Sequence, residues 1–458
     1  MKAVLISGDR SGCGKTSISL ALSSLLSRRM KVQTFKAGMD YIDPSYLTGV
    51  TGRPCRNLDS FVMTPEEVSS VFTHGCKGAD FALVEGVRGL FEGAEALNDT
   101  GSTEAIARAL DLPVVLVISA RSITRSAAAI VKGFQAFSPD VRIKGVILNN
   151  VMGKKHSEKA TSAIEHYCRV PVIGAIPRME EMELTMRHLG LVPFIEQQGT
   201  SEFEKRIERV TGLIEEHVSL DMLVSIASDL PDISDEVKLI REEHAPDTRI
   251  AVARDEAFNF YYSDLFDVLP ALGASVIPFS PIKERLPDAD GYIIGGGYPE
   301  LFLPELESNA QTREAIHEQS RNNVPIYAEC GGLMYLTEQI RLKEGWQGHS
   351  QERVYEMAGV FKGETRMPAR RVVSYVEGKS AAGCPLGAGI FKGHEFHYSD
   401  VCLAPETSYA YKLTRGTGID GIYDGAVIGQ TLGSYTHLHP VSAIGMFRHF
   451  VTRCRSRN

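Results

Sequence analysis

The chain has 458 residues, of which 43% are hydrophobic and 23% are charged, and its formal net charge is −8. This length and composition predict a globular protein of two domains, each of about 200 residues. Because the charges form no basic patch and the apolar runs are too short to cross a bilayer, neither nucleic acid nor a membrane is an expected partner.

Eight cysteines lie scattered along the chain without paired spacing. Such a pattern supports neither a zinc site nor a disulfide framework, and it indicates a reducing cytoplasm. A β-like run begins at residue 3, so we expect no signal peptide.

A glycine-rich loop, GDRSGCGKT at residues 8–16, stands between this first predicted strand and an amphipathic helix. A loop in this context cradles phosphates with its amides, while the lysine neutralises them and the threonine hydroxyl reaches Mg²⁺. The residues expected to bind ATP here are Ser11, Gly12, Gly14, Lys15 and Thr16. The loop is one residue longer than usual and resembles that of dethiobiotin synthetase. Partition ATPases carry a second lysine where this chain has Arg10, so a regulator of that kind is disfavoured.

The next two predicted strands also end in charged residues. Lys36, Asp40 and Asp43 follow the second strand, and Glu85 ends the third. Open α/β sheets bind ligands at these strand ends, and a carboxylate after a strand is a usual Mg²⁺ ligand of a phosphate-loop ATPase. An acidic loop is by itself more often a solvated turn or a helix cap.

Strand and helix patterns go on alternating to about residue 178, which predicts a parallel sheet. Asn149 ends one of these strands and Arg178 follows a later one. In the relatives of dethiobiotin synthetase these two places flank the nucleotide base, although asparagine after a strand is also a common turn residue. An acidic segment, residues 222–247, lacks a clear apolar face and predicts a domain boundary near Pro246.

In the second half, VPIYAECGGLMYL at residues 324–336 predicts a strand, a tight turn carrying Cys330, and a helix. The helix N-terminus is expected to lower the pKa of the thiol. Another predicted strand runs into the three glycines of YIIGGGYPE, so the amides of Gly296, Gly297 and Gly331 would form an oxyanion hole. A buried, inert cysteine is the plain alternative.

The string GSYTHLHP, residues 433–440, supplies His437 and His439 late in the chain. Together with the cysteine turn and the glycines it resembles the class I, or triad, glutamine amidotransferase domain. This resemblance makes Cys330 the nucleophile and His437 the general base. The usual ending His-Pro-Glu is here His-Leu-His, so the motif lacks its acidic third member. His439 stands in that place, where it either orients His437 or merely packs.

Four strings, at residues 36–59, 84–93, 393–399 and 433–439, resemble the cobyrinic acid a,c-diamide synthase family, and the resemblance covers essentially the whole chain. It implies an α/β fold of two doubly wound parallel-sheet domains. Residues 1–240 would form a P-loop NTPase-like domain that binds ATP and a tetrapyrrole and makes the amide. Residues 248–458 would form a flavodoxin-like class I glutamine amidotransferase domain.

The same resemblance implies roles for the charged residues. Lys36 would stabilise the transferring phosphate, and Asp43 and Glu92 would bind the tetrapyrrole. The expected Mg²⁺ ligands are Thr16, Asp40 and Glu85. Three positions, Met39, Arg88 and Glu92, depart from the family's pattern.

The implied reaction converts the a and c acetate groups of cobyrinate into amides, with Mg²⁺ as cofactor and ATP and glutamine as co-substrates. ATP would form an acyl phosphate, and Cys330 would release ammonia from glutamine through a thioester. Hydrogenobyrinate, and Ni-sirohydrochlorin on the route to coenzyme F-430, stay open as alternative tetrapyrrole substrates. The relatives suggest a homodimer. A different class also stays open, a phosphate-loop ATPase regulator whose C-terminal domain only binds a partner and has no glutaminase activity.

Overall fold

The computed structural model describes residues 1–178, 201–231, 238–240, 244–346 and 350–456, with side chains left out for residues 201–204. The chain divides into two compact units, Met1–Lys238 and Leu239–Asn458. Part of the acidic segment in which the sequence predicted a boundary lies outside the described residues. Within the described ranges, every helix is too short or too polar to span a bilayer.

The first unit is built on an eight-stranded sheet. Its strands are β1 (Lys2–Gly8), β2 (Val32–Ala37), β3 (Arg56–Leu58), β4 (Phe81–Glu85), β5 (Val114–Ser119), β6 (Ile143–Val151), β7 (Val172–Pro177) and β8 (Ser228–Asp229). Its helices are Lys15–Ser27, Ile42–Thr51, Pro65–Gly75, Thr103–Ala109, Arg125–Phe137, Lys154–Cys168, Ser201–His217 and Leu220–Ile226. The spatial order is β3-β2-β4-β1-β5-β6-β7, all parallel, and β8 pairs antiparallel with β1.

The central strands of this unit are nearly continuous apolar runs, because a parallel sheet is covered on both faces. β4 is buried along its whole length, and β5 is buried except at its last residue. Val4, Ile6 and Leu83 pack with Ile18 and Leu22 of the first helix in one core cluster. The ends of β1, β2 and β4, which are neighbours in the sheet, therefore deliver their loops to one edge.

The second unit holds a nine-stranded and a four-stranded sheet. Its strands are β9 (Thr248–Ala253), β10 (Ala274–Phe279), β11 (Gly291–Ile294), β12 (Ile326–Glu329), β13 (Thr337–Leu342), β14 (Arg353–Glu356), β15 (Phe361–Met367), β16 (Val372–Ser380), β17 (Gly389–His397), β18 (Asp400–Leu403), β19 (Ser408–Arg415), β20 (Tyr423–Ile428) and β21 (Thr431–Ser434). Its helices are Leu265–Ala271, Leu303–Ser308, Ala310–Arg321, Gly331–Leu336 and Ile444–Arg455, with a 3₁₀ turn at Pro299–Leu301.

In the larger sheet the order is β10-β9-β11-β12-β21-β20-β19-β16-β17. The first five strands are parallel, and the last four extend the sheet in antiparallel pairs. The α/β class with parallel sheets in both units is thus confirmed, while the antiparallel extension and the separate sheet β14-β13-β15-β18 were not predicted. Since β11, β12 and β21 are adjacent and parallel, their carboxyl ends meet at one edge.

Candidate active sites

The phosphate loop of the first unit bends at Gly14, which precedes the helix Lys15–Ser27 with φ 95°. A side chain at this position would be strained by the left-handed backbone, and its Cβ would overlap the side-chain nitrogen of Asn149. That nitrogen donates a hydrogen bond of 2.8 Å to the carbonyl of Cys13. Asn149 therefore lies against the loop and holds its backbone.

The rest of the loop is open to a ligand. Ser11 and Gly12 are exposed, whereas Lys15 is buried and Thr16 is half-buried at the start of the helix. This arrangement leaves the loop accessible and keeps the lysine and the hydroxyl near the sheet edge, and the binding of phosphate there stays a prediction.

Three polar or charged residues that the sequence singled out converge on the fully buried carboxylate of Glu85. Its Oε1 accepts hydrogen bonds from Lys15 Nζ at 3.1 Å, Thr16 Oγ1 at 2.7 Å and Lys36 Nζ at 2.8 Å. Asp43 forms an ion pair with Lys36 and places Oδ2 at 3.3 Å from Thr16 Oγ1. The three strand ends thus assemble one compact, charged site.

The charges of this cluster stabilise one another. Burial disfavours the ammonium of Lys36, but Asp43 and Glu85 outweigh it and hold the pKa of Lys36 well above its usual value. Burial likewise opposes the ionised form of Asp43, and Lys36 and Lys15 outweigh it, so the pKa of Asp43 is lowered. Burial and the neighbouring Asp43 raise the pKa of Asp40 to about 7.

Two of the three expected Mg²⁺ ligands fit a cation. Oε2 of Glu85 is buried and has no hydrogen-bond partner among the residues that the structure describes, and Thr16 adjoins the other oxygen. Mg²⁺ favours such oxygen ligands and completes its shell with water and phosphate. Asp40 instead accepts from the amides of Ile42 and Asp43 at 2.8 and 3.2 Å, as a turn residue does. Across the described ranges, no group of three or more His, Cys, Asp or Glu side chains is arranged around a common point for a metal.

The other predicted residues of this unit lie farther from the cluster or have different contacts. Asn149 uses its carbonyl oxygen for the amide of Asn150 at 2.9 Å, so its visible bonds support the loop, and a contact with the base stays a prediction. Arg178 is exposed, and its amide donates to the carbonyl of Val151 at 3.1 Å. Glu92 is exposed, with its carboxylate in the space left by Gly89.

In the second unit Cys330 joins β12 to the helix Gly331–Leu336 with φ 48° and ψ −99°. A residue with a side chain adopts such a backbone only at a cost of about 1–3 kcal/mol, which the surrounding structure must offset. The Cys330 amide donates to the carbonyl of Ser434 at 2.7 Å, and a Cβ on Gly332 would overlap the carbonyl of Ile294. The turn is therefore the sharp strand-to-helix elbow that the sequence predicted.

The thiol of Cys330 lies inside this elbow and donates to the carbonyl of Phe396 at 3.5 Å. Burial raises the pKa of the Cys330 thiol, and the charge of Glu300 adds to this, against a smaller opposing effect of the Gly331 amide. The amide at the helix N-terminus thus lowers this pKa as expected, but the removal of the thiolate from water outweighs it, so the net shift is upward. A reaction at Cys330 needs a base.

The predicted oxyanion glycines and the histidine lie around the elbow. A Cβ on Gly331 would stand 3.1 Å from the amide nitrogen of Gly297, so these two backbones are in close contact. A Cβ on Gly296 would stand 2.6 Å from Cε1 of His437. Gly296, Gly297, Gly331 and His437 thus share one end of the sheet with Cys330.

His437 is held by both its backbone and its ring. Its amide donates to the carbonyl of His394 at 2.8 Å, the His394 amide returns a bond of 3.2 Å, and the two rings stack at 4.8 Å. Its Nδ1 lies 3.2 Å from Oε2 of Glu329. Sequence reasoning missed Glu329, for which the only signal was a carboxylate in an otherwise apolar strand.

His439 has other partners. Its Nδ1 accepts from the Val441 amide at 3.3 Å, its Nε2 lies 3.4 Å from Oδ2 of Asp264, and its ring packs 4.6 Å from that of Tyr262. Both ring nitrogens therefore point to neighbours other than His437. Among the residues that the structure describes, the ring of His439 is thus placed against Val441 and Asp264, and the orienting role that the sequence left open for it stays a prediction.

Comparisons with known proteins assign a family to each unit. Residues 4–192 match the family described as the CobQ/CobB/MinD/ParA nucleotide binding domain, and residues 249–443 match the CobB/CobQ-like glutamine amidotransferase domain. A nucleotide-binding unit and a glutamine amidotransferase unit in one chain define a glutamine-dependent amidotransferase ligase.

Similar proteins from several archaea are named cobyrinate a,c-diamide synthase, and three of them show the degree of similarity. The one from Methanosarcina acetivorans is 50% identical over 459 residues, covering 96% of this chain and 92% of the relative. Those from Methanosarcina barkeri and Methanothermobacter thermautotrophicus are 48% and 44% identical, over 96% of this chain and 93% and 96% of the relatives. The chain belongs to the cobyrinate a,c-diamide synthase family.

Proposed function

We propose that this protein amidates the a and c acetate carboxylates of cobyrinate, with ATP and glutamine as co-substrates. The observation that carries the substrate is the 50% identity, over 96% of this chain, with a protein named cobyrinate a,c-diamide synthase. We assign amide synthesis and tetrapyrrole binding to residues 1–240 and glutamine hydrolysis to residues 248–458. A reducing compartment, the cytoplasm, suits the eight cysteines, which the structure describes as thiols. The homodimer stays part of the proposal.

Amide synthesis begins with a carboxylate, which is a poor acyl donor. An acetate oxygen attacks the γ-phosphorus of ATP, ADP leaves, and an acyl phosphate forms. Lys15 and Lys36 offset the charge of the transferring phosphoryl group. Both ammonium groups lie within 3.1 Å of Glu85, so two positive charges are already gathered at this strand end. Thr16 and Glu85 would hold Mg²⁺, which would supply further charge neutralisation at the phosphates. Asp43 and Glu92 are the residues we propose to bind the tetrapyrrole.

Glutamine hydrolysis takes place at Cys330. The thiol gives its proton to His437 while the sulfur attacks the carboxamide carbon, and the amides of Gly296, Gly297 and Gly331 stabilise the resulting oxyanion. His437 returns the proton to the departing nitrogen, ammonia leaves, and water hydrolyses the thioester to glutamate. Ammonia then attacks the acyl phosphate, forming the amide and releasing phosphate.

The test is amide formation by the purified protein with ATP, Mg²⁺ and glutamine, followed by mass spectrometry of the product. Cobyrinate, hydrogenobyrinate and Ni-sirohydrochlorin are offered in parallel, and the Cys330→Ala variant is assayed with glutamine and with ammonium chloride. We expect cobyrinate to be amidated and the variant to work only with ammonium. Preference for Ni-sirohydrochlorin would instead indicate that the protein acts in the formation of coenzyme F-430. ATP hydrolysis without any amide would overturn the proposal in favour of a phosphate-loop regulator.

A further inference from the structure

We propose that Glu329, the residue directly before the nucleophile, is the carboxylate that orients the general base His437. This inference rests on the proposed roles of Cys330 and His437 in glutamine hydrolysis. In the usual triad motif the acid follows the histidine by two residues, where this chain has His439. Here the acid comes from the neighbouring strand instead.

The contact is made by the two oxygens of one buried carboxylate, and Glu329 is only 7% exposed. Oε2 lies 3.2 Å from Nδ1 of His437, and Oε1 accepts from the amide of Leu438 at 3.0 Å. The same carboxylate therefore holds both the imidazole and the backbone that follows it. A third donor, the Tyr327 hydroxyl, binds Oε1 and limits rotation of the group.

Strand pairing explains why residue 329 can reach His437. β12 and β21 are parallel neighbours, with Glu329 opposite Ser434 in the register. The Cys330 amide bonds to the Ser434 carbonyl, so the nucleophile and the segment carrying the histidine are joined at this point. The carboxylate of Glu329, the last residue of β12, can therefore reach the imidazole of His437 in the segment that follows β21.

The other ring nitrogen of His437, Nε2, lies near Gly296. The position of a Cβ on Gly296 is 2.6 Å from Cε1 and 3.4 Å from Nε2 of His437, on the side of the oxyanion glycines. A carboxylate at Nδ1 keeps the proton on that nitrogen and leaves Nε2 as the acceptor for the thiol proton. It also stabilises the imidazolium formed when Cys330 attacks. This matters because burial raises the pKa of the thiol.

A purely structural role is the competing explanation, and Glu329→Gln separates the two. Glutamine keeps an oxygen for the Leu438 amide but presents an amide donor to Nδ1, which favours the wrong tautomer. We expect the glutaminase kcat to fall on the order of 10²–10⁴-fold, as for loss of an orienting carboxylate in other triads. The KM for glutamine should stay within about threefold, because no contact with glutamine is removed. In the plot of glutaminase kcat against pH, the acid limb should move to lower pH. The rate of ammonium-dependent amidation by the same preparation should be unchanged.

Two controls bracket this variant in the full-length protein. Tyr327→Phe removes one bond to the carboxylate without touching His437, and His439→Gln removes the alternative histidine. Each should keep kcat within about fivefold of the original, because each leaves the bonds from Glu329 to His437 and Leu438 in place. Should Glu329→Gln not fold, Glu329→Asp replaces it, with an expected loss of about tenfold and an acid limb that is retained.

Several outcomes would overturn the role of Glu329. They are a kcat within fivefold of the original, a loss confined to the KM, an equal loss in His439→Gln, or a parallel loss of ammonium-dependent amidation. Failure of the proposed function looks different, since then the unaltered protein itself would release no glutamate, or Cys330→Ala would release it as fast.

Discussion

The side-chain amide of Asn149 donates a 2.8 Å hydrogen bond to the carbonyl of Cys13, a residue 136 positions earlier in the chain. Asn149 lies at the end of β6, while Cys13 lies in the phosphate loop after β1, with β5 between the two strands. The end of a distant strand therefore supports the backbone of the glycine-rich loop.

Replacement of Asn149 should weaken nucleotide binding. Asn149→Ala leaves the buried Cys13 carbonyl without this donor and lets the loop relax, so we expect the Kd for ATP to rise about tenfold. Isothermal titration calorimetry measures this directly. Gln135→Ala is the matched control, because Gln135 also donates a side-chain amide to a carbonyl, that of Cys168 at 3.1 Å, on other helices of the unit. Equal ATP affinity in both variants would contradict the supporting role.

Lys36 should matter for stability as well as for catalysis. Lys36→Met leaves the buried carboxylate of Glu85 and the half-buried carboxylate of Asp43 with less positive charge, and breaking such an ion pair costs about 3–5 kcal/mol where it is buried. The double variant Lys36→Met/Asp43→Asn removes one of these charges and should recover part of the unfolding free energy without recovering amide synthesis. Urea unfolding and the synthesis assay, run on both proteins, check this. A double variant as unstable as the single one would refute the charge argument.

Stability of the second unit should fall in acid because of His394. Burial, with smaller effects of His437 and His439, holds the pKa of His394 well below its ordinary value of 6.5. The unfolded chain then binds a proton below pH 6.5 that the folded unit does not. Above pH 6.5 the two states bind the same number of protons at His394, so the free energy of unfolding does not depend on this residue's titration. Below pH 6.5 that free energy falls by an amount that approaches about 1.4 kcal/mol per pH unit. Urea unfolding at several pH values between 7.5 and 5 gives the free energy of unfolding as a function of pH. In His394→Gln this free energy should fall less steeply with decreasing pH, and an unchanged pH dependence would exclude His394 as the source.

The backbone strain at Cys330 predicts an unusual order of stabilities. Because φ is 48°, Cys330→Gly should be more stable than Cys330→Ala by about 1 kcal/mol. Cys76 provides the matched control, since it is also buried but has φ −72° and ψ −7°. There the alanine variant should be the more stable one. Thermal unfolding of the four proteins gives both orders, and the same order at both positions would refute the strain argument.

Sequence pattern alone was sufficient to predict the fold class and most of the residues that meet at each site. Parallel strands put their carboxyl ends at one edge, so the charged residues after β1, β2 and β4 could be expected to gather around Glu85. The same rule placed Cys330 beside Gly296 and Gly297. These inferences need only the order of strands and helices and the residue at each strand end.

Tertiary structure decided what depends on contacts between distant segments. Only the pairing of β12 with β21 brings Glu329 to His437, and only the position of β6 puts Asn149 against Cys13. Burial, which no local pattern reports, reversed the expected shift in the pKa of Cys330. The sequence therefore determined which residues gather at the strand ends, whereas the neighbours in the folded sheet decided which of them touch and how readily each one ionises.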